Sequence, residues 1–133
     1  MKVGLDTSVV LRLLVGEPAD QARLALGYVS DIVSKGGQAT VSDLVVTEAY
    51  YALQHHYETP KNEALAQLRS LLTTPGIKNL GVAAHVLRTP HLESARPGFV
   101  DRIIHEQYAP EANVVVTFEK SARKLKKIFV LES

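Results

Sequence analysis

Asn113-Val114-Val115-Val116-Thr117-Phe118-Glu119 is the stretch that decides the fold class. It is a continuous β-branched and aromatic run that ends on an acid, the composition of a strand covered on both faces. Strands of that kind belong to parallel sheets, whose crossovers are helices, so helical patterns are expected on either side. Upstream, Ser94-Ala95-Arg96-Pro97-Gly98 reads as a loop, and Phe99, Val100, Ile103, Ile104 and Tyr108 mark an amphipathic helix. Downstream, Ala122 to Lys126 reads as a short basic helix and Ile128 to Leu131 as a final strand.

The same alternation runs back to the N-terminus. Val3-Gly4-Leu5 is a short apolar strand that ends at Asp6. Thr7 to Val15 reads as a mostly buried helix, stopped by Gly16-Glu17-Pro18. Ala22, Leu26, Val29 and Val33 predict a second helix over Ala19 to Ser34, closed by Gly36-Gly37. Ala39-Thr40-Val41 is a second strand, after which Ser42 or Asp43 caps a helix running to about Tyr57. Thr59-Pro60 opens another helix with Leu65, Leu68, Leu71 and Leu72 on one side; Thr73 to Gly76 is a turn. Ile77 to Val82 reads as an edge strand, followed by a helix around Ala84 to Leu87. The expected architecture is α/β: a three-layer α/β/α sandwich with a mainly parallel central sheet, in one domain over residues 1–133.

Composition narrows the functions. The absence of cysteine removes disulfide frameworks, thiolate zinc sites and cysteine nucleophiles. No apolar run reaches the roughly 20 residues of a membrane span, and the start lacks the apolar segment of a signal peptide, so a cytoplasmic protein with no membrane contact is expected. The net charge of +1 is divided unevenly: residues 1–66 hold 5 Lys and Arg against 8 Asp and Glu, and residues 67–133 hold 10 against 6. The basic part is densest at Lys120 to Lys127, which suits phosphate but also suits a solvated face.

Ligands of parallel sheets bind beyond the carboxyl ends of the strands. Asp6 and Glu119 directly follow strands, and Glu48 and Asp101 lie in helices that begin at the same edge, so four acids distant in sequence are expected on one rim. Taken singly, Asp6 reads equally as a helix cap, Asp101 as a first-turn acid facing the helix dipole, and Glu119 as a surface partner of Lys120 or Arg123. Glu48 is set among Leu44, Val45, Val46, Ala49, Tyr50, Tyr51 and Leu53, which predicts burial, and no Lys or Arg lies within a helical turn. A buried carboxylate costs several kcal/mol unless paired or bound to metal. Clustered carboxylates repel without a cation, and oxygen donors alone favour Mg²⁺, with Mn²⁺ as substitute. Such an ion activates water and neutralises phosphate charge, the chemistry of phosphodiester hydrolysis. Arg12, Arg96, Arg102 and Lys120 are candidates for phosphate contact. His105, four residues after Asp101, shares its helix face and is expected at the rim facing solvent, and His55-His56 reads as a surface pair at a helix end.

At these residues the sequence resembles the PIN domain, and within it the VapC-type toxins. Leu5-Asp6-Thr7-Ser8-Val9, Val46-Thr47-Glu48-Ala49, Gly98-Phe99-Val100-Asp101 and Val116-Thr117-Phe118-Glu119 match the family's acid motifs in order over nearly the whole chain. The resemblance implies a Mg²⁺-dependent endoribonuclease, the toxin of a type II toxin–antitoxin pair, commonly a homodimer and inhibited by a cognate antitoxin. It implies Asp6, Glu48 and Asp101 as core metal ligands and Glu119 as a fourth, with Ser8 and Thr117 arranging the acids. Two departures are present: Glu119 stands where the family usually has Asp, and Gly98 where many relatives have an acid. They leave open a catalytically weak or inactive PIN-like module that binds RNA or protein. A phosphoacceptor receiver domain is disfavoured because Thr7-Ser8, and not a second acid, follows Asp6.

Overall fold

The computed structural model describes residues 1–132. In chain order the elements are β1 (Lys2–Gly4), α1 (Thr7–Val15), α2 (Ala19–Ser34), β2 (Gln38–Ser42), α3 (Asp43–His55), α4 (Lys61–Leu72), β3 (Ile77–Leu80), α5 (Ala83–Val86), α6 (Phe99–Tyr108), β4 (Val115–Thr117) and β5 (Ile128–Val130). Short 3-10 turns cover Leu92–Ser94 and Lys120–Lys124. The fold is α/β with parallel strands, as the alternation implied, and it accords with the three-layer α/β/α sandwich. β1, β2 and β3 form one sheet in that order, with Val3 beside Ala39 and Ala39 beside Ile77. The expected edge strand is therefore an edge strand. No helix among the described residues is long and apolar enough to cross a membrane.

Local chemistry explains the ends of the elements. The Asp6 side chain caps α1 by accepting from the Val9 N–H, and Ser42 caps α3 by accepting from the Val45 N–H at 3.2 Å. The core is built from Val10 of α1, Val41 of β2, Val46 and Leu53 of α3, Leu65 and Leu68 of α4, and Phe99 and Ile103 of α6. The Leu65, Leu68, Leu71 and Leu72 stripe is buried, as its spacing implied. Tyr50 meets Phe99 edge-to-face at 5.0 Å, joining α3 to α6.

Four expectations are corrected. The strand at 113–118 does not join β1–β3; β4 pairs only with β5, with Val116 opposite Phe129. Nor is it covered on both faces: Val115 is buried, whereas Val116 is 56% exposed, and Val114, Phe118, Phe129 and Leu131 are open as well. A β-branched run reports strand preference, and the same residues suit one covered face or two. The basic helix at Ala122 to Lys126 is instead the 3-10 turn Lys120–Lys124. Glu48 is exposed, not buried. The covered stripe of α3 is Asp43, Val46, Ala49, Tyr50 and Leu53, which leaves Glu48, Leu44 and Tyr51 on its open side despite their apolar surroundings in sequence.

Among the described residues Asp43 is the buried charged side chain. Its carboxylate accepts from Asn79 Nδ2 at 3.0 Å, from the N–H groups of Val82 and Ala83 at 2.9 Å each, and from Gln107 Nε2 at 2.7 Å. Asn79 in turn donates to the Val41 carbonyl and accepts from the Ala84 N–H. Gly81 passes directly over the carboxylate at φ +136°, where a Cβ would stand 2.2 Å from Oδ2, so only glycine fits. Burial pushes the Asp43 carboxyl up, but the four donors outweigh it and hold it below the ordinary value. A depressed folded value contributes stability that is present above 3.8 and lost as the pH falls through the folded value. Asp43→Ala leaves these donors unpaired and is expected to cost on the order of 3 kcal/mol in urea unfolding at pH 7. The gap between the two proteins should narrow below pH 4, and an unchanged midpoint at pH 7 would refute the role given to this residue.

Candidate functional site

β1 and β2 run parallel, so Asp6, just beyond β1, and the start of α3, just beyond β2, share one edge of the sheet. Ser8 donates its hydroxyl to Asp6 Oδ1 at 2.7 Å, and the Val9 N–H reaches the same oxygen at 3.2 Å. These donors, the hydroxyl first, hold the exposed Asp6 carboxyl below its usual 3.8. Thr7 donates its hydroxyl to Glu48 Oε1 at 2.9 Å, which ties the acid of α3 to the residue after Asp6. Glu119 lies beyond β4 and caps the 3-10 turn. Its Oε1 accepts from the Ser121 hydroxyl at 2.8 Å and from the Ser121 N–H at 3.0 Å. Those two bonds, and the nearby Arg96 guanidinium, hold the Glu119 carboxyl below its usual 4.5. Thr117 accepts from the Glu119 N–H at 3.0 Å and so sets the backbone at that acid.

Three of the four acids therefore share one arrangement. A neighbouring hydroxyl holds one carboxylate oxygen, and the second oxygen has no protein donor among the described residues. A hydrogen-bonded carboxylate with a spare oxygen is oriented for a ligand. Asp101, in the first turn of α6, is exposed and borders a shallow cavity of about 250 Å³ with Tyr51, His55, Lys61 and Gly98. His55 stacks on Tyr51 at 6.1 Å in that wall.

The structure brings Glu48 to the N-terminus of α1 through Thr7, the residue that follows Asp6. It does not gather all four acids: among the described residues no group of three or more His, Asp or Glu side chains could hold a metal ion together. The donor chemistry still fits Mg²⁺ or Mn²⁺. It offers only hard oxygens, and Mg²⁺ is commonly held by one or two carboxylates with waters and substrate phosphates completing its shell.

The cationic candidates are dispersed. Arg12 donates Nε to Gln21 at 2.7 Å and borders an open groove of about 830 Å³ between α1, α2 and β1. Arg96 is near Glu119, Lys120 begins the 3-10 turn, and Arg102 is anchored to the Pro97 carbonyl at 2.7 Å. Arg123, considered as a partner of Glu119, pairs with Glu132 instead. Contrary to its reading as a solvent-facing rim residue, His105 buries its ring Nδ1, and it lines a cavity with His85 and Arg102, not with Asp101. Thr7 and Ser121 were not among the residues singled out from sequence. The Ser121 contact has a local signal, since Asp6 and Glu119 each have a serine two positions later. No family model matches the chain, and no curated protein matches it.

If the Ser8 hydroxyl is the chief cause of the low Asp6 value, Ser8→Ala should raise the Asp6 titration midpoint toward 3.8 in carboxyl-detected NMR. The Glu119 midpoint should stay in place in the same titration. An unmoved Asp6 would refute the assignment.

Proposed function

We propose that the chain is a Mg²⁺-dependent endoribonuclease, the toxin of a type II toxin–antitoxin pair, acting in the cytoplasm. The observation that carries the reading is the Thr7–Glu48 hydrogen bond at 2.9 Å, which joins the α3 acid to the helix start that follows Asp6. Its support is the carboxyl edge of a parallel sheet, where α/β folds bind ligands, and a donor set of hydroxyl-held carboxylates. Its partners would be an RNA substrate, a cognate antitoxin and a second copy of the chain.

In this reading Asp6 and Glu48 hold the ion through their free oxygens, with Asp101 and Glu119 as further acidic candidates. A bound Mg²⁺ would supply Lewis acidity toward the phosphate and a lowered pKa for water. Ser8 and Thr7 fix the orientation of the two carboxylates, so the site is ordered before substrate arrives. Both acids are exposed at the surface, so a polymeric substrate has access. Arg96, beside Glu119, offers a charge-assisted contact to a strand phosphate.

A second reading is a PIN-like module that binds RNA or protein with little or no turnover. The open apolar face of the β4–β5 pair, with Val116 56% and Phe129 55% exposed, favours it.

The deciding measurement is cleavage of RNA with Mg²⁺ or Mn²⁺. Asp6→Asn, with its fold checked by circular dichroism, should lower the rate by roughly a hundredfold or more, since even outer contacts of metal sites cost 10–100-fold. Glu119→Gln should cost less, because Glu119 follows a strand of the other sheet and already caps a turn. Equal cleavage by wild type and Asp6→Asn would refute the enzyme reading; RNA binding without metal uptake or turnover would support the module.

A further inference from the structure

Away from the acids, a cavity of about 490 Å³ lies between α5, α6 and the chain that follows the Lys120–Lys124 turn. Arg102, Lys124 and Lys126 line it, with His85, His105 and Glu106. The one carboxylate there is already engaged, since Glu106 meets His85 Nδ1 at 2.9 Å. The three permanent cations have no acidic partner among the described residues. Arg102 gives its Nε–H to the Pro97 carbonyl, which anchors the side chain and leaves the outer guanidinium N–H groups without a protein acceptor among those residues. His105 has its Nδ1 shut from solvent with no hydrogen-bond partner.

Both features carry a cost. Like charges repel, and a buried ring nitrogen without a partner has lost its water and gained nothing. One bound anion relieves the repulsion among the cations, and the His105 ring in the cavity wall is placed to report its arrival. The planar fork of Arg102 suits phosphate oxygens, and the two lysines add point charges. The volume exceeds that of a bare phosphate and leaves room for the sugar and base of a nucleotide.

We propose that this cavity binds a phosphate group carried by a nucleotide or an RNA strand, at a site separate from the Asp6–Glu48 edge. The site deepens the ribonuclease reading by seating a strand phosphate away from the acids, and it rests on that reading only for the source of the phosphate.

The wild-type protein carries its own probe. The His105 Nδ1 resonance can be followed by long-range proton–nitrogen NMR during titration with inorganic phosphate, adenosine 5′-monophosphate and a short oligoribonucleotide with or without a 5′-phosphate. The expected result is a saturable shift with adenosine 5′-monophosphate or with RNA. A shift from the 5′-phosphorylated strand alone assigns a terminal phosphate, and a shift from both strands assigns the backbone. The Lys124→Gln/Lys126→Gln protein, with an unchanged melting curve, should bind about tenfold or more weakly, as loss of charged hydrogen bonds implies.

No shift with any phosphate compound would overturn the proposal, as would an equal shift with poly-glutamate at matched ionic strength, which would point to an acidic protein partner. The two readings fail separately. If Asp6→Asn cleaves RNA like wild type while nucleotide still moves Nδ1, the enzyme reading falls and the phosphate site stands. If cleavage depends on Asp6 and nothing moves Nδ1, the phosphate site falls alone.

Discussion

The carboxylate of Asp43 accepts hydrogen bonds from a β3 side chain, from two backbone N–H groups at the start of α5, and from a glutamine of α6. These donors stand 36, 39, 40 and 64 positions away along the chain, so one buried charge fixes the relation of four elements. A buried carboxylate is tolerable only when its oxygens are satisfied, and here four donors satisfy it. The consequence reaches the candidate site. Asp43 follows β2 as Asp6 follows β1, so the brace and the exposed acids occupy the same edge of the sheet. The edge that offers Asp6 and Glu48 to solvent is held in place by a neighbour with nothing left to offer.

Acceptor occupancy therefore sorts acids that look alike in sequence. Asp43 uses both oxygens on internal donors and is closed to ligands. Asp6, Glu48 and Glu119 each use one oxygen on a hydroxyl-bearing neighbour and keep the other. Asp101, in the first turn of α6, has no side-chain hydrogen-bond partner among the described residues. Orientation by a hydroxyl, with one oxygen spare, is what a metal or substrate site needs from a carboxylate.

The legible parts of this molecule are those written within a few residues. The helices α1, α2, α4 and α6 follow from apolar spacing and from Gly and Pro stops, and the strands at 2–4, 38–42 and 77–80 follow from short apolar runs. The edge position of Asp6 and the first-turn position of Asp101 were legible for the same reason. Burial was not. Glu48 has apolar neighbours in sequence, but at 100° per residue Val46, Ala49, Tyr50 and Leu53 cover the far side of α3, while Leu44 and Tyr51 share the open side with it. The cover of β4 was hidden too, because it depends on which distant element packs over the strand. Ser42 and Asp43 read as interchangeable caps, and only the three-dimensional donors show that the first caps α3 while the second braces the sheet. The Thr7–Glu48 bond spans 41 positions and leaves no local trace, whereas the Asp6–Ser8 and Glu119–Ser121 bonds span two.

Charge asymmetry along the chain becomes asymmetry in space. The acidic half contributes Asp6, Asp43 and Glu48 to the edge of the first sheet, and the basic half contributes Arg102, Lys124 and Lys126 to the cavity beside α6. A polyanion meets opposite potentials at the two places. Without a cation the acid edge repels it, while the basic cavity attracts it regardless of metal. Asp43, fully satisfied, adds no accessible carboxylate oxygen to that edge, so the negative potential presented there comes from the exposed Asp6 and Glu48.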